Sequence, residues 1–150
     1  MREIWSLYEA MRYLLDTCIF IHYAADRDLL SRDVFALLED YDNSLYISAE
    51  TVRELVIQFN KGKLVSKIWK SADEMITSIK EDYYIGILPL KEEHMRTYAN
   101  LRINTAQDHN DPSDHVIIAH AITNRIPLIT DDGKFEFYKK QGLELIVNKK

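Results

Sequence analysis

The chain of 150 residues has one cysteine, four glycines, three prolines and no long apolar run. Each scarcity removes a class of structure. A lone Cys18 rules out an internal disulfide framework and any four-cysteine zinc site. Seven glycines and prolines together supply little material for tight turns, which argues against an all-β chain of many hairpins. Nothing approaches the roughly 20 apolar residues of a membrane span, and no charged-then-apolar leader is evident, so no membrane association and a cytoplasmic location are expected. Basic residues are also in deficit, 19 against 24 acids, for a formal net charge of −5. Taken alone, that sign speaks against a nucleic-acid partner.

What the chain does have is 47% hydrophobic and 29% charged residues, the composition of a globular domain able to bury roughly 70% of its unfolded surface. Short apolar runs alternate with helical spacing. Tyr13 to Leu15 ends in Asp16, and Leu45 to Ile47 ends in Ser48. Ile85 to Leu88, Leu128 to Thr130 and Leu143 to Val147 follow. Between them, Val34, Leu37, Leu38 and Tyr41, then Val52, Leu55, Val56 and Phe59, recur at i, i+3, i+4, i+7. A long helical stretch is expected over Leu64 to Tyr83, with Ile68, Met75, Ile76 and Ile79 on one side and Leu64, Val65 and Trp69 widening it. That surface suits core packing first, or a second chain. Continuous apolar strands separated by helices predict one α/β domain: a small central parallel sheet of about four or five strands, flanked by helices. Residues 11–150 form that domain, and residues 1–10 read as an N-terminal extension or an upstream-start segment.

The acids fall where such a fold places ligands, outside the carboxyl ends of the strands. Asp16 closes the first strand, although a helix cap is an equally good reading. Glu54 borders the apolar stripe of the helix capped by Ser48, with Glu50 four residues earlier on the same side. Asp111 and Pro112 form a cap and first-turn pair. Asp114 shares a face with Ile117, Ile118 and Ala121 and so points inward, which capping alone does not require. The fourth strand runs into Asp131-Asp132-Gly133. Two carboxylates ~4 Å apart repel by about 4 kcal/mol at an effective dielectric of 20, so such a cluster shifts its pKa values or holds cations. All-oxygen ligands suit Mg2+ or Mn2+ and phosphoryl chemistry. Asp16, Glu54, Asp114 and Asp132 therefore read as a metal site.

At these residues the sequence resembles the PIN-domain family, and within it the VapC-type toxins. Tyr13-Leu14-Leu15-Asp16-Thr17 looks like its opening strand, and Ser48 to Leu55 like its second acidic motif. Asp111-Pro112-Ser113-Asp114-His115 through Ala119 is similar to a DPFDR…IA signature, and Pro127 to Asp132 with Phe135 to a closing LxTxD…F segment. Cys18, Ser113 and His115 depart from the common Asn, Phe and Arg.

The resemblance implies a Mg2+-dependent endoribonuclease, with Mn2+ able to substitute, neutralised by a VapB-type antitoxin and often homodimeric. It assigns catalysis and metal binding to Asp16, Glu54, Asp114 and Asp132, with Thr130 supporting and Asp132 favoured over Asp131. Thr17, Thr130, His115, Arg53, Lys61 and Lys63 are expected to contact RNA, with Lys67 and Lys70 near the two lysines; a plain solvated face is the bland alternative for the lysines. The five histidines otherwise read as structural, since His115 and His120 lack the i, i+4 spacing of a zinc pair. Alternatives are a housekeeping RNA-processing PIN nuclease and a catalytically silent PIN-like binding module. A haloacid-dehalogenase-like phosphatase is disfavoured because Cys18 stands where it needs a second Asp. Without the four proposed ligands the chain is close to charge balance, so the acidic excess marks a cation site and does not bar RNA.

Overall fold

A computed structural model describes residues 11–64 and 68–150. Five strands form the sheet: β1 (Arg12–Leu15), β2 (Ser44–Ser48), β3 (Ile85–Leu88), β4 (Leu128–Thr130) and β5 (Leu145–Val147). All pairings are parallel, in the order β3-β2-β1-β4-β5. The helices are α1 (Thr17–Ala25), α2 (Arg32–Glu39), α3 (Ala49–Asn60), α4 (Ala72–Glu81), α5 (Glu92–Ala99) and α6 (Pro112–Asn124). Gly133–Gln141 is a run of 3-10 turns.

Alternation along the strands explains why both faces are covered. Tyr13, Leu15, Leu45, Ile47 and Ile129 face one core, packed with Ile19, Phe20, Val34, Leu55, Met75 and Ile79 from α1 to α4. Leu14 and Leu128 face the other, against Ile117, Ile118 and Ala121 of α6 and Phe135 and Tyr138 of the 3-10 run. At one place the sheet leaves no room for a side chain: a Cβ on Gly86 of β3 would lie 2.7 Å from the Tyr46 ring on β2.

The chain builds outward from β1 through β2 to β3, then returns to add β4 on the other side of β1. Where an open parallel sheet reverses in this way, the connections leave on opposite sides and a crevice opens at the strand carboxyl ends. Asp16 and Asp131-Asp132 follow the two strands at that reversal.

Three expectations are corrected. Of the helix anticipated over Leu64 to Tyr83, the described residues form Ala72–Glu81, because extended Ser71 caps it by accepting the Glu74 N–H at 3.0 Å. Ile68 is exposed while Trp69, Met75 and Ile79 are buried in the core, so no continuous apolar face is left over the described part. Tyr41, placed by periodicity on the α2 stripe, lies beyond the helix end in a turn organised by Asp40 and is fully exposed. The fifth strand starts at Leu145, not Leu143. Val65, Lys67 and the expected extension over residues 1–10 lie outside the described residues. Among those described, no helix is long and apolar enough to cross a membrane.

Leu14 is fully buried against α6 beneath the sheet reversal. Leu14→Ala is expected to lower stability by about 2–5 kcal/mol in urea unfolding. A loss under about 1 kcal/mol would contradict the packing described, since full burial of leucine is worth more.

Candidate metal centre

Asp16 sits at the end of β1 with its N–H on the Ile129 carbonyl at 2.9 Å, so the ladder to β4 fixes its backbone. Its carboxylate accepts the Thr17 N–H at 2.8 Å, capping α1. The other oxygen accepts the Thr130 hydroxyl from β4 at 2.7 Å, and the Cys18 thiol lies 3.5 Å away. Thr130 is fully buried, and its oxygen accepts the Asp132 N–H at 3.2 Å. One hydroxyl thus links the acid that ends β1 to the loop that follows β4.

Glu54 arrives from α3, half-buried. Its Oε1 lies 2.6 Å from the Thr17 hydroxyl, which is also 3.1 Å from the buried Thr51 hydroxyl. Thr17, expected to contact substrate, is therefore buried and positions Glu54. Glu50 diverges from Glu54: it is buried, paired with Arg53 (Nη2 to Oε2, 2.6 Å) and accepts the Ser113 hydroxyl at 2.8 Å. Its burial favours the neutral acid, but the Arg53 and Ser113 hydrogen bonds outweigh this and its pKa is lowered. Arg53 is largely exposed yet committed to Glu50. Lys61 caps the carboxyl end of α3, and Lys63 follows; both are exposed.

Asp111 caps α6 by accepting the Ser113 N–H at 3.0 Å, with Pro112 in the first turn. Asp114, one turn in, is half-buried, and its Oδ2 lies 3.0 Å from His109 Nε2. A ring nitrogen of His109 and a carboxylate oxygen each of Asp114 and Asp132 lie within 4.8 Å of one another, close enough for a metal ion to be held among them. Asp132 also accepts the Lys134 N–H at 2.9 Å at the start of the 3-10 run. His109 escapes a reading by motif because it lies in an irregular loop; only its place two residues before Asp111 could have drawn attention. His115, expected at a phosphate, is buried with Nε2 2.8 Å from the His109 carbonyl. Its ring lies under the cleft rather than in it.

The two acids after β4 separate cleanly. Asp131 is held by His22 Nε2 at 2.5 Å and by the Asn148 amide at 2.6 Å, on the α1 and β5 side. Asp132 faces His109 and Asp114. Burial, reinforced by Asp16, raises the Cys18 thiol far above its ordinary range, so it is a weak donor and no nucleophile.

Burial raises the pKa of Asp16 to about 6, against opposing bonds from Thr130 and Thr17. Asp114 is raised to about 8, first by burial and then by the charges of Asp16, Asp111, Glu54 and Asp132. Glu54 is also raised by burial. The acids feel one another, while the bonds to Asp16, Asp114 and Glu54 come from hydroxyls, a thiol, a backbone amide and an imidazole. Such a set is short of positive charge, and its oxygen donors fit a hard divalent cation.

The profile of the PIN domain matches residues 13–141. The chain belongs to the PIN domain family. No curated protein matches it in sequence. Among solved structures, this PIN domain is similar to a chain of VapBC2 from Rickettsia felis bound to a promoter DNA fragment, with 21% identity, TM-score 0.67, and 93% of this chain and 100% of that one covered. It is also similar to VapBC-1 from Haemophilus influenzae (23%, 0.60, 91% and 98%). A third neighbour is VapBC-5 of the VapBC family of toxin–antitoxin systems, from Mycobacterium tuberculosis (22%, 0.56, 91% and 98%). At these identities the likeness shows the fold.

The raised acids give the PIN domain a pH signature. Unfolding returns Asp114 to an ordinary carboxylate value, so between that value and about 8 the unfolded state has released a proton that the folded state keeps. Stability of the metal-free protein therefore falls as pH rises through this window. His109 and His120, lowered by burial, act in the opposite sense, but only below the usual histidine value of 6.5. Urea unfolding in chelator between about pH 6.5 and 8 lies clear of the histidine window, and comparison with Asp114→Asn separates the part due to Asp114. The wild type is expected to lose stability across it and Asp114→Asn to lose much less; parallel profiles would refute the shift.

Proposed function

We propose that this PIN domain is a metal-dependent endoribonuclease that hydrolyses RNA phosphodiester bonds, with Mg2+ as its ion and Mn2+ able to substitute, and that it acts as the toxin of a VapBC-type pair. The observation that carries the reading is the gathering of Asp16, Glu54, Asp114 and Asp132, raised or crowded carboxylates without an ammonium or guanidinium in the bonds described above, at the reversal of the sheet. PIN domains are generally nucleases, which agrees with that chemistry. The VapBC neighbours support a VapB-type antitoxin as the protein partner; a homodimer as the working form is part of the same proposal.

Asp16, Asp114 and Asp132 would hold the ion, with Glu54 beside them. A divalent ion so held lowers the pKa of bound water, neutralises the phosphate and favours in-line displacement. The protein's part is orientation. Thr130 fixes Asp16, Thr17 fixes Glu54, and His109 meets Asp114, so the oxygens converge before RNA arrives. Burial of Asp16 keeps bulk water from competing for it. Lys61 and Lys63 are exposed at the end of α3, and in this reading they would meet the RNA backbone.

Replacing Asp16 or Asp114 by Asn is expected to reduce cleavage of structured RNA by on the order of a hundredfold or more, since metal-borne charge stabilisation is worth several kcal/mol. RNA affinity should be largely kept. Wild-type turnover in Asp16→Asn, measured with Mg2+ or Mn2+, would remove the site assignment. Replacing both Lys61 and Lys63 by Ala is expected to flatten the slope of log affinity against log salt by about 1–2. An unchanged slope would exclude them from the RNA path.

A further inference from the structure

We infer that His109 is the positioning residue of Asp114, held for that task by Tyr138, so that the proposed metal centre is completed by an imidazole relay. The inference rests on the nuclease reading and adds two residues to it.

His109 lies in the loop between the 3-10 turn Thr105–Gln107 and the cap of α6. Asp108 before it has φ 53, a left-handed conformation that non-glycine residues adopt seldom and that Asp tolerates better than most. The loop is closed by the His109 N–H on the Asn104 carbonyl at 3.0 Å. Asn104 in turn gives its amide to the Lys134 carbonyl at 3.1 Å, tying the loop to the run after Asp132.

The ring of His109 is 3% exposed and packs among His115, Phe135 and Tyr138. Its Nδ1 lies 2.8 Å from the Tyr138 hydroxyl, and Nε2 3.0 Å from Asp114 Oδ2. Tyr138 already accepts the Asn104 N–H at 3.1 Å. Its own proton then has Nδ1 as acceptor, which places the ring proton on Nε2 and aims it at Asp114, so that His109 acts on the ion through Asp114 and not as a ligand itself. With Asp114 ionised, as holding a cation requires, the donors of Asn104, Tyr138 and His109 each find an acceptor along this line. Histidines buried only for packing have no need of a carboxylate in the cleft; this one ends on it. Tyr138 belongs to the 3-10 run that Asp132 opens, so the relay also fixes the segments of Asp114 and Asp132 relative to each other. Outer partners of this kind, when lost, lower metal affinity by about 10–100-fold.

The test is Mn2+ binding by calorimetry on the purified full chain, beside thermal melting. His109→Ala is expected to weaken Mn2+ binding about tenfold or more. His109→Gln, whose amide can reach Asp114, should recover much of that loss. Tyr138→Phe, nearly isosteric, should weaken binding in the same direction, and the double variant His109→Ala with Tyr138→Phe should bind no more weakly than His109→Ala alone. Wild-type affinity in His109→Ala, or in Tyr138→Phe should the alanine variant not fold, overturns the proposal, as do additive losses in the double variant. If the wild type and Asp16→Asn show the same lack of Mn2+ binding, the nuclease reading itself fails, a result distinct from a His109 variant that binds normally.

Discussion

The hydrogen bond from Thr130 to Asp16 joins β4 to β1, the two strands between which the sheet reverses its order. It is buried, and it holds an acid whose other oxygen is already taken by the Thr17 N–H. Because the same hydroxyl oxygen takes the Asp132 N–H, the direction of the loop after β4 depends on it as well. A sheet of this order opens a crevice by topology alone; a single threonine then ties its two walls together.

Two of the acids here have two roles. Asp16 and Asp132 each accept a backbone N–H at the start of a helical turn while facing the cleft, and Asp111 does only the former. Capping offers a partial positive charge, worth about 0.3–1 kcal/mol at each end, and relieves a little of the repulsion that the cluster carries without metal. Asp114 has no such relief beyond the α6 dipole; burial first, and then the charge of four other acids, hold its proton so high.

The sheet and the acid cluster were legible because both rest on short-range patterns. Apolar runs ending in Asp16 and Thr130 marked the strand ends, and the i, i+3, i+4, i+7 face of Asp114 marked its inward direction. Where reasoning strayed, longer-range contacts were responsible. His115 neighbours Asp114 in sequence but points about 100° away on the helix, into the core. Glu50 and Glu54 share a side of α3, yet Ser113 on another helix captures the first and Thr17 the second. Nothing periodic distinguishes His109 or Tyr138, whose contact spans 29 residues of sequence. The end of α3 and the start of α4 were decided by Gly62 at φ 71 and by the Ser71 cap, local signals that a broad apolar count passes over.

Asp131 and Asp132 are chemically identical neighbours with opposite fates. His22 and Asn148 grasp the first, drawing it toward α1 and β5, and the second is left to the cleft. The grip on Asp131 therefore works as a register pin: it prevents the tandem acids from exchanging places by a slip of one residue. A stretch in which either neighbour could have served is thereby reduced to a single reading, and the fidelity of the cleft is guarded by an acid that does not enter it.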